Sequence, residues 1–338
     1  MGNLKEEENK LKKKYSFDQY GRYAIIRDII NKNRTDDQDF KVLDVGGRGN
    51  IMKNFLSKDK VFYLDPFVDT KDKNFIKGDG CDIPLKSKSF DWVVSADVFE
   101  HIPPKKREQF LKENIRVSKL GVVLAAPFYS KEVEQAEVNA NENYKILSEG
   151  QDHPWLKEHV DNGLPKEKDV NCFLDENNYS YQKLYNNGLF LWQILTSITF
   201  YRNNLLAGIG GMNLNKILEG YYSFNYFYNT KIFPFDCLDP SYRKIYFIKK
   251  DSHLKDLTYG GKKKADVVSL EVATRLLNLM NKDLLRLSKD GRLARKDKKI
   301  DSLFKEINKN EETIKAMQAT KFWRVREMCL RLLNKKNQ

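Results

Sequence analysis

Long apolar runs are missing from this chain of 338 residues. The longest, residues 189–201, is interrupted by Gln193 and is shorter than the roughly 20 apolar residues that a helix needs to span a bilayer. Cysteine is also scarce, and its spacing is irregular: Cys81, Cys172, Cys237 and Cys329. The lack of paired cysteines argues against a disulfide framework or a zinc ribbon and is typical of reduced thiols packed as small apolar groups.

The opening residues MGNLKEEENK lack the apolar core of a signal peptide, and Glu6 stands where a myristoylation signal prefers Ser or Thr. We therefore expect a cytoplasmic protein. Hydrophobic residues make up 41% and aromatic residues 12% of the chain, which excludes an intrinsically disordered protein. The composition predicts a folded protein with a sizeable core.

Acidic residues are deficient only in the last part of the chain. The formal net charge is +13, but residues 249–338 hold 24 Lys and Arg against 12 Asp and Glu. Residues 1–248 are balanced, with 36 basic against 35 acidic residues. The basic character belongs to the tail, so nucleic acid is not the partner that we expect for the main domain.

The hydrophobic pattern predicts an α/β fold. Five short runs are rich in β-branched and aromatic residues: 41–45, 61–64, 74–77, 90–96 and 122–126. Helical stretches near 49–57 and 105–118 lie between some of them. Two further strand candidates, 179–184 and 243–249, enclose a helical region from 189 to about 220. The early strands, which alternate with helices, indicate βαβ units and a parallel sheet covered on both faces. With the two later candidates, the pattern predicts seven strands in all.

Polar or glycine-rich groups follow four of these strands. The first strand, which contains Asp44, runs into the turn 46–49 and then a helix, so the backbone there can approach a ligand and the first N–H groups of the helix are free. Asp65 ends the second strand, where a carboxylate can accept hydrogen bonds from a ribose diol. Residues 78–84 follow the third strand and 95–103 the fourth. All four groups lie at the carboxyl edge of the sheet, where open α/β folds bind ligands.

In this order the motifs resemble those of the class I S-adenosylmethionine-dependent methyltransferases of the type 11, ubiquinone-biosynthesis-like kind, over roughly residues 20–250. The resemblance implies a Rossmann-like seven-stranded methyltransferase sheet and S-adenosyl-L-methionine as the cofactor. The residues that it assigns to the cofactor are Asp44, Gly46, Gly47 and Gly49 at the methionine end, Asp65 at the ribose, Asp79, Gly80 and Cys81 at the adenine, and also Ala96. It places Asp97 near the sulfonium, as a catalytic candidate.

The glycine loop departs from the family pattern Asp-x-Gly-x-Gly-x-Gly. Either Arg48 and Asn50 stand where two glycines are usual, or the loop is one residue shorter. This departure motivates an alternative function: a degenerate cofactor-binding scaffold that recruits glycan-synthesis enzymes to the membrane.

The region after the fifth strand carries the predicted acceptor site. Its pattern, formed by 125–128, 134–137, 153–159 and 163–165, is similar to methyltransferases of bacterial lipopolysaccharide, capsule and glycan synthesis, which implies O-methylation of a sugar or glycan end. A sugar hydroxyl must lose its proton, and histidine is the usual base near neutral pH. We predict His101 as the general base with His153 as the alternative, and the substrate-side residues Glu100, Trp155 and His159. No established metal-ligand spacing such as His-Glu-x-x-His appears, and no metal site is predicted.

The domain boundaries that we predict are a charged lead at 1–19, a methyltransferase domain at 20–250 with an acceptor-side insertion at 130–178, a basic linker at 251–265, a coiled-coil-like helical segment at 266–318 and a basic amphipathic tail at 319–338. The tail predicts contact with an anionic membrane surface through 321–336, at the inner face of the cell membrane. The apolar positions of the coiled-coil-like segment form a seam, which predicts a homo-oligomer through 270–317. Methylation of RNA or of a small metabolite is a third reading.

Overall fold

The computed structural model of the chain describes residues 2–35, 38–208 and 214–259, together with residues 305, 307, 309 and 312. The chain divides into two compact units, Met1–Arg275 and Leu276–Gln338. The helices and strands given below all lie in the first unit, and the four isolated positions of the second unit are helical. The predicted coiled-coil seam and basic tail otherwise lie outside the described residues.

A seven-stranded sheet organises the first unit, in the order β3-β2-β1-β4-β5-β7-β6. The strands are β1 (Lys41–Val45), β2 (Lys60–Asp65), β3 (Phe75–Lys77), β4 (Phe90–Ala96), β5 (Ser118–Pro127), β6 (Ser180–Gly188) and β7 (Ser241–Lys249). The first five strands pair in parallel, whereas β7 runs antiparallel to both β5 and β6. All seven predicted strands are confirmed, and the antiparallel direction of β7 is a feature for which the sequence pattern gave no prediction.

Nine α-helices occur within the described ranges. They are α1 (Gly2–Lys14), α2 (Phe17–Lys32), α3 (Met52–Phe55), α4 (Arg107–Val117), α5 (Lys131–Leu147), α6 (Pro154–Asn162), α7 (Glu167–Glu176), α8 (Leu189–Gly208) and α9 (Leu214–Phe227). The helix predicted near 49–57 is reduced to α3, because residues 46–50 are used by a tight turn. Every helix in residues 2–35, 38–208 and 214–259 is too short or too polar to cross a membrane.

Apolar side chains that alternate along the central strands bury both faces of the sheet. On one face, Leu43, Val45 and Val93 belong to a core that includes Phe110 of α4 and Leu174 of α7. The side chains that alternate with these point to the opposite face. There Trp92 is fully buried between the rings of Phe40 and Phe247, with ring centroids 6.1 and 5.8 Å away.

The strand order positions the site. The chain leaves β1 toward β2 on one side and later returns to place β4 on the other, so the loops after β1 and β4 diverge at the same edge of the sheet. This reversal opens a crevice at the carboxyl ends of the two strands. The predicted insertion, 130–178, supplies α5, α6 and α7, of which α6 contacts the 3-10 helix Phe99–His101 that follows β4.

Candidate active site

Two glycines let the turn after β1 fold tightly against its surroundings. Gly46 has φ +80°, and a Cβ there would lie 2.3 Å from Cγ2 of Val98. A Cβ on Gly47 would lie 2.3 Å from Oδ2 of Asp44. Gly49 also has a positive φ, +79°, but its missing side chain would face open space. The turn therefore lies directly over the Asp44 carboxylate and leaves its outer end open for a ligand.

Asp44 is a buried carboxylate with an unused oxygen. Its Oδ2 has no hydrogen-bond partner among the described residues. Burial raises the pKa of Asp44 to about 7, and the nearby charge of Arg22 only partly opposes this rise. A buried carboxylate left unpaired is costly, so its retention points to a donor or a cation that comes from a ligand.

Asp65 ends β2 and is held by its own loop. Its Oδ1 accepts hydrogen bonds from the backbone N–H groups of Phe67 and Val68, at 2.7 and 2.9 Å. Its Oδ2 accepts one from Nε of Arg48 at 3.0 Å. The Arg48 side chain is 65% exposed, so the contact resembles a surface ion pair of small stability. The arginine that departs from the family pattern thus lies beside the predicted ribose carboxylate.

The residues after β3 form a turn packed on α4. The backbone N–H of Cys81 donates to Oδ1 of Asp79 at 2.8 Å. A Cβ on Gly80 would lie 2.5 Å from Cε2 of Phe110, so only glycine fits there without displacing the ring. Burial raises the pKa of the Cys81 thiol to about 11, which keeps the thiol protonated and unreactive near neutral pH.

Asp97 is tied into an ion-pair network behind the crevice. Arg243 donates to it twice, from Nε to Oδ1 at 2.5 Å and from Nη2 to Oδ2 at 2.6 Å. Arg22 of α2 donates to Oδ2 as well. With its carboxylate occupied by two guanidinium groups, Asp97 positions the loop after Ala96 and is a poor proton acceptor. The direct catalytic role that we predicted for it stays a prediction.

Arg243 is the centre of that network and was missed by the sequence reasoning. It is 1% exposed, and it also donates to Asn186 Oδ1, Asn187 Oδ1 and Asp18 Oδ1 at 2.9, 2.8 and 2.8 Å. Burial opposes ionisation of Asp18, but the charges of Arg243 and Arg22 lower its pKa overall. The available signal was an arginine in a strand rich in aromatic and β-branched residues, next to a second basic residue, Lys244.

Glu100, His101 and His159 come together on the acceptor side. One possible ligand atom from each residue lies within 4.8 Å of the others. Glu100 and His101 belong to the 3-10 helix after β4, whereas His159 comes from α6 of the insertion. The imidazole rings of His101 and His159 are tilted by 48° with centroids 4.9 Å apart. Residues that we assigned separately to base and substrate contacts thus form one cluster.

A glutamate orients each histidine of this cluster. Nδ1 of His159 lies 2.8 Å from Oε1 of Glu137, which also accepts a hydrogen bond from the Tyr242 hydroxyl at 2.8 Å. Nδ1 of His101 lies 3.0 Å from Oε2 of Glu158. Sequence reasoning missed both glutamates as site residues, although Glu158 precedes His159 directly.

The titration of the cluster reflects its burial. Burial raises the pKa of Glu100 to about 8. Burial also lowers the pKa of His101, with a further lowering by the charge of His159, while Glu158 acts in the opposite direction. His101 is therefore a neutral imidazole near pH 7, with a lone pair available on one ring nitrogen.

His153 and Trp155 lie at the start of α6. The His153 ring is stacked on Phe200 with centroids 4.7 Å apart and meets Tyr144 edge-on at 4.8 Å. Burial lowers the pKa of His153. Trp155 is 65% exposed and contacts His153 edge-on. An exposed indole of this kind offers a flat surface for a ring-shaped substrate.

The residues at the crevice fit the cofactor expected from the sequence. The unpartnered carboxylate of Asp44 suits the amino group of a methionine moiety, and Asp65 offers carboxylate oxygens to a ribose diol. The open space at Gly49 leaves the backbone of the turn accessible. These features lie at successive strand ends, as the sequence predicted, although the individual site assignments stay predictions.

Comparison with protein families supports the same class. Residues 49–126 match the family described as a methyltransferase domain. This match and the seven-stranded sheet support a class I, S-adenosylmethionine-dependent methyltransferase. Neither identifies the acceptor or the atom that is methylated. No protein with a curated function matches the chain.

Solved structures similar to this chain include several described as methyltransferases. An S-adenosylmethionine-dependent methyltransferase from Archaeoglobus fulgidus shares 16% identity over 68% of this chain and 92% of its own, with a TM-score of 0.38. Phosphoethanolamine N-methyltransferase 2 from Haemonchus contortus, in complex with S-adenosyl-L-methionine, shares 16% identity over 67% of this chain and 52% of its own, with a TM-score of 0.41. The strand order and strand directions define the fold class.

Proposed function

We propose that this chain is an S-adenosylmethionine-dependent methyltransferase that methylates a hydroxyl oxygen of a sugar or glycan. The observation that carries the proposal is the position of the Glu100–His101–His159 cluster at the same sheet edge as Asp44 and Asp65. One side of the crevice suits a charged nucleoside cofactor, and the other side suits activation of a hydroxyl group.

On the cofactor side, the residues of the chain bind and orient S-adenosylmethionine. Asp44 pairs with its amino group, and the turn at Gly47 and Gly49 offers backbone groups to its methionine end. Asp65 accepts hydrogen bonds from the ribose hydroxyls in place of the one from Arg48. When bound, S-adenosylmethionine supplies a methyl group on a positively charged sulfur. The protein therefore has mainly to align that methyl group with the acceptor oxygen.

On the acceptor side, the cluster activates the hydroxyl. Because Glu158 holds Nδ1 of His101, the lone pair on Nε2 is the one left for the acceptor side. That lone pair can take the hydroxyl proton, which is the general-base role predicted for His101. His153 is the weaker candidate because aromatic rings contact it on three sides. Trp155 supports a sugar ring as the substrate.

Cofactor affinity is expected to fall as the pH drops below 7. The unliganded Asp44 has its pKa raised to about 7 by burial, and a ligand ammonium group favours the ionised form. Binding then requires loss of a proton at low pH, so affinity for S-adenosylhomocysteine should be about tenfold weaker at pH 6 than at pH 8. Calorimetric titration at both pH values measures this. Asp44→Asn should bind weakly with little pH dependence, and an equal pH dependence in that variant would refute the assignment.

Replacing His101 should abolish methyl transfer and leave cofactor binding intact. We expect His101→Ala to lower the transfer of a labelled methyl group to a glycan acceptor by about 100- to 10,000-fold, because hydroxyl activation is lost. His253→Ala is the matched control, since the His253 side chain is 92% exposed and pairs only locally with Asp251. Mass spectrometry of the product identifies the atom methylated. A methyl group on nitrogen, or full activity of His101→Ala, would contradict the proposal.

The partners and localisation are part of the same proposal. A glycan acceptor on a lipid carrier suits a basic tail at 321–336 that contacts an anionic membrane surface, and an apolar seam at 270–317 suits a homo-oligomer. These segments lie beyond the described part of the fold. The scaffold alternative has one feature in its favour, the contact of Arg48 with Asp65, and failure of the protein to bind S-adenosylmethionine would support it.

A further inference from the structure

We infer that Glu100, His101 and His159 form a binding site for a divalent transition-metal cation on the acceptor side of the crevice. The function of this cation depends on the proposed methyltransferase activity, but its binding does not. The sequence predicted no metal here, because the three ligands come from two segments separated by 58 positions and match no established ligand spacing.

Two of the three ligand atoms are buried without a partner. Oε2 of Glu100 and Nε2 of His159 have no hydrogen-bond partner in the described part of the chain, although Glu100 is 1% and His159 is 5% exposed. Buried polar atoms are almost always paired in folded proteins. A cation between these atoms satisfies both and explains why the fold keeps them in an otherwise costly position.

The histidines are arranged as metal ligands usually are. A metal-bound histidine almost always uses its second ring nitrogen to contact a carboxylate or carbonyl group, which orients the ring. Glu137 does this for Nδ1 of His159 at 2.8 Å, and Glu158 does it for Nδ1 of His101 at 3.0 Å. In both histidines Nε2 is therefore the nitrogen left for a cation. The two carboxylates make these nitrogens stronger electron-pair donors to a metal ion.

The charge of the surroundings also favours a cation. Glu100, Glu137 and Glu158 place three carboxyl groups around two imidazoles. The guanidinium groups of three arginines in this region donate to other acceptors: Arg107 to backbone oxygens, and Arg22 and Arg243 to Asp97. The carboxyl groups around the two imidazoles are therefore left without a direct arginine partner, which suits a divalent cation.

The ligand chemistry selects the class of cation. Two imidazole nitrogens and one carboxylate suit Zn²⁺ or another first-row transition metal better than Mg²⁺ or Ca²⁺, which prefer oxygen ligands. Metal–ligand distances of about 2.1 Å hold tetrahedral ligands roughly 3.4 Å apart, and the three candidate atoms already lie within 4.8 Å of one another.

Three protein ligands leave a coordination position open, as in catalytic metal sites. His101 is 25% exposed at its side chain, so the cluster is accessible to solvent. An acceptor hydroxyl that contacted the cation would have a lowered pKa and would give up its proton to solvent water more easily. In this arrangement His101 acts as a ligand rather than as the general base.

Cobalt titration of the full-length, tag-free protein tests the site directly. The protein is treated with a chelator, desalted and titrated with Co²⁺ while visible absorption is recorded, and Zn²⁺ is then added as a competitor. We expect saturation at one equivalent per chain and displacement by Zn²⁺. The absence of a saturable site would overturn the inference.

Variants assign the ligands. Glu100→Gln and His159→Gln should abolish the cobalt spectrum, and His253→Gln should leave it unchanged. Glu158→Gln should weaken binding about 10- to 100-fold because it removes an outer carboxylate. Its side chain is 48% exposed, so this variant is expected to fold even if the buried ones do not, and the exposed Glu108→Gln on α4 is its control. Saturable binding that survives Glu100→Gln and Glu158→Gln would place the metal elsewhere.

A parallel titration with S-adenosylhomocysteine separates the two proposals. Binding of S-adenosylhomocysteine without binding of the cation would support the proposed function and contradict the metal site. Binding of the cation without binding of S-adenosylhomocysteine would support the metal site and contradict the proposed function. If both bind, chelation should lower methyl transfer at least tenfold, and full transfer without metal would return His101 to the role of base.

Discussion

Replacing Arg243 with leucine is expected to destabilise the first unit by about 3–5 kcal/mol, because it breaks a buried ion-pair network and removes the donor from the buried amide oxygens of Asn186 and Asn187. Arg243 is 1% exposed and donates to Asp97, Asp18 and the amide oxygens of Asn186 and Asn187. Without the guanidinium, Asp97 retains Arg22 as its remaining cationic partner. Urea unfolding followed by circular dichroism measures the loss.

Arg48→Leu is the matched control for this measurement. It removes the same chemical group from a side chain that is 65% exposed, where an ion pair contributes about 0–1 kcal/mol. Arg243→Lys should fall between the two, with a loss of about 1–3 kcal/mol, because it keeps a charge and loses the planar donor geometry. Equal stability of Arg243→Leu and wild type would mean that the network does not support the fold.

Replacing Asp65 with asparagine should weaken the binding of S-adenosylhomocysteine by roughly 10- to 150-fold, the effect of one charge-assisted hydrogen bond. The amide keeps an oxygen that can accept from the N–H groups of Phe67 and Val68, so the loop should keep its shape. The loss then reports contact with the ligand rather than local unfolding. Calorimetric titration provides the dissociation constants.

Asp69→Asn serves as the control, since Asp69 is an exposed carboxylate in the same loop. A combined Arg48→Ala and Asp65→Asn variant shows whether the arginine matters only through this contact. Unchanged affinity of Asp65→Asn in a folded protein would remove Asp65 from the cofactor site and would favour the scaffold alternative.

The acceptor side depends on a segment that is not part of the central sheet. The insertion supplies α6, and with it His159 and Glu158, whereas Glu137 comes from α5. In the proposed function, the acceptor residues therefore come partly from the insertion and partly from the 3-10 helix after β4, whereas the residues proposed for the cofactor lie at the strand ends.

The strands and the order of the strand-end motifs were predictable from local patterns. Strands buried on both faces have mostly apolar sequences, such as 92–94 and 42–45, the second interrupted by Asp44, and glycines or carboxylates directly after them mark the ligand-binding edge. Enrichment in β-branched and aromatic residues indicated the seven strands. The hydrophobic periodicity and the spacing between the strand-end motifs were enough to predict Asp44 and Asp65 at the ends of successive strands.

The partners of the charged residues were decided by tertiary packing. Arg243 meets Asp97 across 146 positions, and His159 meets Glu137 across 22, because strand pairing and the docking of α6 bring them together. The antiparallel direction of β7 likewise follows from how the chain returns between β5 and β6. A charged residue within an apolar run has the same local signature whether it is exposed at an edge or buried beside a partner. Local sequence patterns therefore predict which residues are near the sheet edge, whereas only the packed fold determines which of them pair.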